Sequence, residues 1–166
     1  MRTQRLSRIP LEGMIAGSIG YLTVVFIVGV MDVIGGQSLF HTPSLLGQIL
    51  IGGFGDPTPG VIAAGPVFAF NGAHLLTFLL IGIVVAWLVF EVELHPVLWY
   101  GAFFALLCAG LLSFLVLSLV GEPHSSTLRS SELIVANALA AAAMGFYLHK
   151  AHPGLGAKIR EHGDPE

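Results

Sequence analysis

Ionisable and strongly polar side chains are sparse in this 166-residue sequence, so each one inside an apolar run is a candidate for function. Asp32 closes one long apolar stretch and His74 opens another; Asn71 and Asn137 fall where their helices would bring them to the same depth. Arg129 and Glu132 would stand just above them. Together Asp32, Asn71, His74 and Asn137 form a candidate polar site at one face of a membrane. A single imidazole is enough to act as axial ligand to a pigment or haem, which makes His74 a possible cofactor ligand. A bis-histidine haem would need a second histidine at matching depth, whereas His41 and His124 fall in predicted loops. The plainer alternative is that Asp32 and Glu132 meet interfacial water and His74 hydrogen-bonds a backbone carbonyl.

The remaining polar residues give weaker chemistry. Glu91, Glu93 and His95 cluster in a short connection as a potential proton-accepting group or weak cation site; Glu91 and His95 would share a helix face, but Pro96 argues that the helix stops, and solvated hairpin charges are the plainer reading. His149 and His152 could both point at the cytoplasm or share a surface metal, with Pro153 weakening any longer helical spacing. Cys108 stands alone in an apolar run, which excludes a disulfide framework or a cysteine metal site. No G-x-S-x-G, H-E-x-x-H, Walker-type loop or C-x-x-C occurs, and the glycines at 52, 53 and 55 lack the flanks of a nucleotide loop. No catalytic residue, metal site or firm cofactor is therefore assigned, and a nucleic-acid partner does not fit a formal charge of -3.

The elements that must position these residues follow from composition. With 55% apolar and only 10% charged residues, the chain lies far outside the usual soluble range, and lipid is the solvent that suits it. Four apolar stretches are candidates to cross about 30 Å of hydrocarbon at about 1.5 Å per residue, the fourth being short and spanning either by local thinning of the bilayer or by extension to His149 and Lys150. They cover residues 13–34, 71–90, 97–120 and 133–148. The sequence thus predicts an all-α integral membrane protein, a single domain over 1–166 built as an antiparallel bundle of four transmembrane helices. Residues 35–70 form a long outer loop, in which Thr42 and Pro43 open a short interfacial helix carrying Leu45, Leu46, Ile49 and Leu50. Residues 149–166 form a polar tail.

Arg2, Arg5 and Arg8 precede the first span, and Lys150, Lys158 and Arg160 follow the fourth; only Arg129 would lie outside. That bias places both termini in the cytoplasm, in a bacterial inner membrane by resemblance of layout to small proteins of that compartment. The N-terminal stretch also resembles a signal peptide, but its apolar core is about 20 residues long and lacks an A-x-A-like exit, so it is expected to stay as an anchor.

Small residues mark the faces on which membrane helices approach closely. They are Gly13, Gly17 and Gly20 on the first span, Gly101, Ala105 and Ala109 on the third, and Ala141 and Gly145 on the fourth, which is expected to be the packing centre. The lead functional expectation is a noncatalytic accessory or scaffolding subunit of a larger membrane complex, such as an energy-converting one, in contact with lipid and with other membrane subunits or its own copies. The alternatives are a small transporter or channel, or a pigment- or haem-binding protein using His74.

Overall fold

The computed structural model describes residues 8–52, 57–58, 60–95, 97–98, 101 and 130–155. Four helices account for most of them: α1 over Ile9–Ile34, α2 over His41–Ile51, α3 over Ala64–Leu94 and α4 over Ser130–Ala151. Three of these, α1, α3 and Leu133–Ala151 of α4, are long and apolar enough to cross a membrane. Their outward faces are as apolar as their inward ones: Phe26, Phe68 and Phe146 are all more than half exposed. A soluble bundle would expose charge there; a lipid-facing one does not need to.

The segment predicted as a third span, 97–120, lies almost wholly outside the described residues, together with Ala105 and Ala109. The helix predicted over 71–90 is longer at both ends. It begins at Ala64, taking in the last part of what the sequence suggested was loop, because Ala63 is extended and Pro66 falls in the first turn, where no intrahelical N–H is required. At the other end it carries Glu91 and Glu93 before stopping at His95.

Among the described residues it is α1 that packs along both other long helices, while α3 and α4 scarcely touch; the expectation that α4 is the packing centre turns also on 97–120, which lies outside the described residues. The reason is the glycine series on α1. A Cβ at Gly13 would collide with the backbone of Ile83, one at Gly17 with Phe78 and Leu79, and one at Gly82 with the backbone of Gly13 and Gly17. The two backbones therefore meet directly, with no side chain between them. On α4 the buried stripe is Leu133, Ala136, Ala140, Met144 and Leu148. Ala141 and Gly145 lie on its exposed side, and a Cβ at Gly145 or Gly101 meets nothing among the described residues.

Helix polarity follows from the same contacts. Going up α1, Gly13 meets Ile83 and Gly20 meets Phe78, so α3 runs antiparallel to it. Gly20 also faces Met144, while Glu12 meets His152, so α4 is antiparallel to α1 as well. The two helices that flank α1 are thus parallel, ending where α1 begins.

The short helix α2 lies beyond the end of α1. The turn between them uses Gly36 at φ 74°, a conformation glycine adopts without cost. Ser44, Leu45, Gly47 and Ile49 form the buried face of α2, and Gly47 sits directly on the backbone of Pro66. A short helix is present in the predicted loop, but its first residue is His41 and its cap position Phe40, two residues before the expected Pro43 and Thr42.

Candidate functional site

The sequence grouped Asp32, Asn71, His74 and Asn137 as one polar site. The structure places Asn71, His74 and Asn137 along a single groove and gives Asp32 different work. Asp32 is buried at the end of α1, where one carboxylate oxygen accepts the backbone N–H of Thr42 at 3.0 Å and the other accepts the Thr42 hydroxyl at 2.7 Å. Thr42 is the second residue of α2, so Asp32 satisfies an N–H that the helix leaves unpaired and sets negative charge at the positive end of its dipole. Phe40 at the cap position has no side chain able to do this. Asp32 therefore fixes α2 to α1.

Ser44 completes the attachment on the other side of α2. Its hydroxyl donates to the Val61 carbonyl at 3.0 Å and accepts from the Ala63 N–H at 3.3 Å. Gln48 adds a donor to the Val61 carbonyl at 3.1 Å and accepts the Thr58 N–H at 2.9 Å. These bonds hold the chain leading into α3 against α2, which shapes one wall of the groove.

The groove has a volume of about 700 Å³ and lies among the C-terminal half of α1, α2, the start of α3 and the start of α4. Val25, Phe26, Val30, Phe40, Leu46 and Phe70 give it apolar walls; Thr42, Asn71, His74 and Asn137 are its polar points. Two of these are partly committed. Asn71 donates to the Val67 carbonyl at 2.8 Å and accepts from the Tyr21 hydroxyl at 3.1 Å, joining α3 to α1. Asn137, an exposed residue, donates to the Leu133 carbonyl at 2.8 Å through its side-chain amide.

His74 is held by rings. Phe70, His74 and Phe78 are spaced by four on α3 and so stand above one another on one face. The Phe70 ring stacks on the imidazole at 5.1 Å and 20°, and Phe78 meets it edge-on at 5.0 Å and 71°. Tyr21 closes a third side at 6.2 Å. The imidazole Nε2 is buried and makes no hydrogen bond among the described residues. The backbone-carbonyl partner that the sequence suggested for it is not formed by this atom. An unsatisfied buried polar atom costs about 1–3 kcal/mol, so a ligand atom that paired with it would recover that energy.

A second polar cluster, which sequence reasoning missed, occupies the opposite end of the bundle. His152, just after α4, places Nε2 at 3.1 Å from Glu12 Oε2 of α1 and Nδ1 at 3.0 Å from Glu93 Oε1 of α3. All three side chains are largely buried, at 13%, 26% and 11% exposure for His152, Glu12 and Glu93 respectively. They line a recess of about 380 Å³ that Arg8 and Phe90 also border. The signal was present in the topology. Positive ends on one side bring the start of α1 and the ends of α3 and α4 together, and each carries one ionisable residue. Glu12 was overlooked because it precedes the predicted span. Among the described residues no three His, Cys, Asp or Glu side chains are arranged to hold a metal ion.

No protein-family model, curated protein or solved structure matches this chain, which leaves the chemistry of its own side chains as the guide to function.

Proposed function

We propose that this chain is a noncatalytic membrane protein that holds an apolar amphiphile in the groove beside His74, with the imidazole pairing to the ligand's polar head. The observation that carries this reading is an imidazole that lines an apolar groove of about 700 Å³, a size in the range of small-molecule sites, and whose buried Nε2 has no partner among the described residues, so that a small turn of the ring would offer it to a ligand. The class of ligand is a molecule with a flat or compact head bearing a carbonyl or hydroxyl and a long hydrocarbon tail. Phe70 and Asn137 line the same groove, and its aliphatic walls take the tail. A tetrapyrrole ligated by His74 would use the same nitrogen.

Four crossings, with both termini in the cytoplasm, are part of the proposal. The parallel run of α3 and α4 supports them. The chain leaves α3 at one end of the bundle and enters α4 at the other, and the intervening sequence contains the apolar stretch 97–120. The Glu12–His152 contact brings the two ends of the chain to one side, where six of the seven Lys and Arg residues fall in sequence. On this reading the groove would lie in the outer leaflet of a bacterial inner membrane.

The test is extraction. Protein purified in mild detergent is denatured in organic solvent, and the extract is compared by mass spectrometry and visible absorption with that from His74→Phe. One amphiphile near one per chain, depleted in the variant, supports the reading. The same bulk lipids in the same proportions from both proteins would overturn it.

A second reading, that the chain is an accessory subunit of a larger membrane complex, is favoured by Ala141, Ala142 and Gly145. They put a small-residue face on the exposed side of α4, suited to close approach of another transmembrane helix. Gly145→Leu would then release a copurifying subunit or a second copy. A lone chain by native mass spectrometry, in wild type and variant alike, would count against it.

A further inference from the structure

We infer that the occupant of the groove is an electroneutral long-chain carbonyl compound that seats head first. Its uncharged carbonyl lies beside His74 at mid-membrane depth, and its hydrocarbon tail runs toward α2. This deepens the reading of the groove as a His74 site and rests on it; the charge and the direction of the occupant are what is added. A bilayer lipid lies the other way up, with a charged head at the membrane surface.

The depth of His74 follows from its neighbours. Tyr21 is the thirteenth of the 26 residues of α1, and its ring lies 6.2 Å from the imidazole. His74 therefore sits halfway along a helix long enough to cross a membrane. On its own helix it comes ten residues after Ala64, about 15 Å below the start of α3. Thr42, bound to Asp32, marks the other end of the groove, and Asp32 is eleven residues beyond Tyr21, about 16 Å along α1.

The direction of the tail follows from where the groove is closed. Past His74 the helices touch: Gly20 faces the Phe78 ring and the Met144 sulfur, and Gly17 sits on the backbone of Phe78 and Leu79. Among the described residues, none of α1 before Leu22 and none of α3 after His74 lines the groove. The His74 end is blind to a chain of methylenes. The walls toward α2 are apolar, through Val25, Val30, Leu39 and Leu46, so a tail attached to a head at His74 runs that way.

Charge decides the chemistry of the head. No Lys or Arg occurs from Ile9 to Leu128 or from Ser130 to His149, ranges that hold all of α1, α2 and α3 and all but the end of α4. An anionic head at the blind end would have no lysine or arginine of these helices to meet it. A cationic head fares no better, because the nearest acids on α1 are Glu12, nine residues before Tyr21, and Asp32, whose oxygens are both taken by Thr42. An unpaired charge at mid-membrane depth is expensive, whereas a neutral carbonyl needs only one donor. What this level offers is neutral: the imidazole, and the Asn71 amide already bonded to Val67 and Tyr21.

Photolabelling of the full chain in dodecylmaltoside tests both the charge and the direction. Two long-chain methyl ketones carry a diazirine, one beside the carbonyl and one at the far end of the chain, and labelled residues are read by tandem mass spectrometry. The head probe should mark α1 and α3 around Leu22 and His74, and the tail probe the stretch from Val33 to Leu46. Unlabelled ketone should displace both probes at about tenfold lower concentration, or less, than the alkyl phosphate of the same chain length, which would have to carry its charge to the blind end. A reversed labelling pattern, or an alkyl phosphate that competes as well as the ketone, would overturn the inference; the groove would still stand as a site if labelling fell in His74→Phe. Groove labelling that is absent, or that is unchanged in His74→Phe, would overturn the reading of the groove and the inference with it.

Discussion

The glycine seam between α1 and α3 makes the most quantitative prediction. In Gly17→Ala the new Cβ would lie 2.8 Å from Leu79 Cα and closer still to the Phe78 carbonyl oxygen, against an ordinary contact of 3.4–4 Å. Neither neighbour can rotate away, because both belong to the backbone of a helix. The helices must part by at least about 0.6 Å at this level, and the contacts of Gly13 and Gly82 on either side loosen with them. Overpacking of this kind costs about 1–3 kcal/mol, and the rigid backbone puts this case toward the upper end. Gly20→Ala is a graded control. Its Cβ would meet the Met144 sulfur at 2.5 Å and the Phe78 ring at 2.7 Å, which are side-chain atoms able to shift, so the loss should be smaller. Gly145→Ala meets nothing among the described residues and should gain up to about 1 kcal/mol from helix propensity. Equilibrium unfolding in mixed dodecylmaltoside–SDS micelles, followed by far-UV circular dichroism, ranks the three. A Gly17→Ala protein as stable as wild type, or a Gly145→Ala protein as damaged as Gly17→Ala, would refute the direct backbone contact.

Three further outcomes follow from the outer end. Asp32→Ala should free the start of α2 at a cost of about 1–2 kcal/mol, seen as faster amide exchange at Thr42, while Asp32→Asn, which keeps an acceptor, should lose less. Ser44→Ala removes the acceptor of the Ala63 N–H and the donor to Val61, and should cost about 1–3 kcal/mol, with proteolysis between α2 and α3 as the readout. His74→Phe should leave ligand-free protein as stable as wild type or more so by about 1 kcal/mol, since a ring of similar shape replaces one with an unpaired nitrogen. The same variant should lose the bound amphiphile, so the two readouts move in opposite directions.

What the sequence made legible was set by how local the signal is. Apolar length is a local property, so α1, α3 and α4 could be found, and so could α2 from Pro43 and the leucines after it. The ends were less legible because they depend on partners. Thr42 looks like a cap by type, yet it is the recipient of one: Asp32, ten residues earlier, supplies the acceptor. Helix faces were less legible for a related reason. Small residues are abundant on α4, but smallness permits close approach without requiring it, and the glycines of α1 meet a neighbouring backbone because Gly82 answers them from α3. That match is invisible until the register between the helices is known.

The polar residues follow the same logic, and it bears on function. Depth alone grouped Asp32 with His74, whereas side-chain direction separates them, giving one to a helix cap and the other to an aromatic box. The two polar ends lie about 30 Å apart along α1, the rise of the 20 residues from Glu12 to Asp32. Between them, α1 meets α3 backbone to backbone, and no ionisable residue occurs from Gly13 to Met31 on α1, from Leu75 to Phe90 on α3 or from Leu133 to Leu148 on α4 other than Tyr21 and Tyr147. A conduction path along this seam would need water or charge where helices touch without a gap, which disfavours a channel through the described bundle. A rigid seam does suit a protein that holds a ligand at one face of the bundle, with α4 carrying Asn137 to the groove.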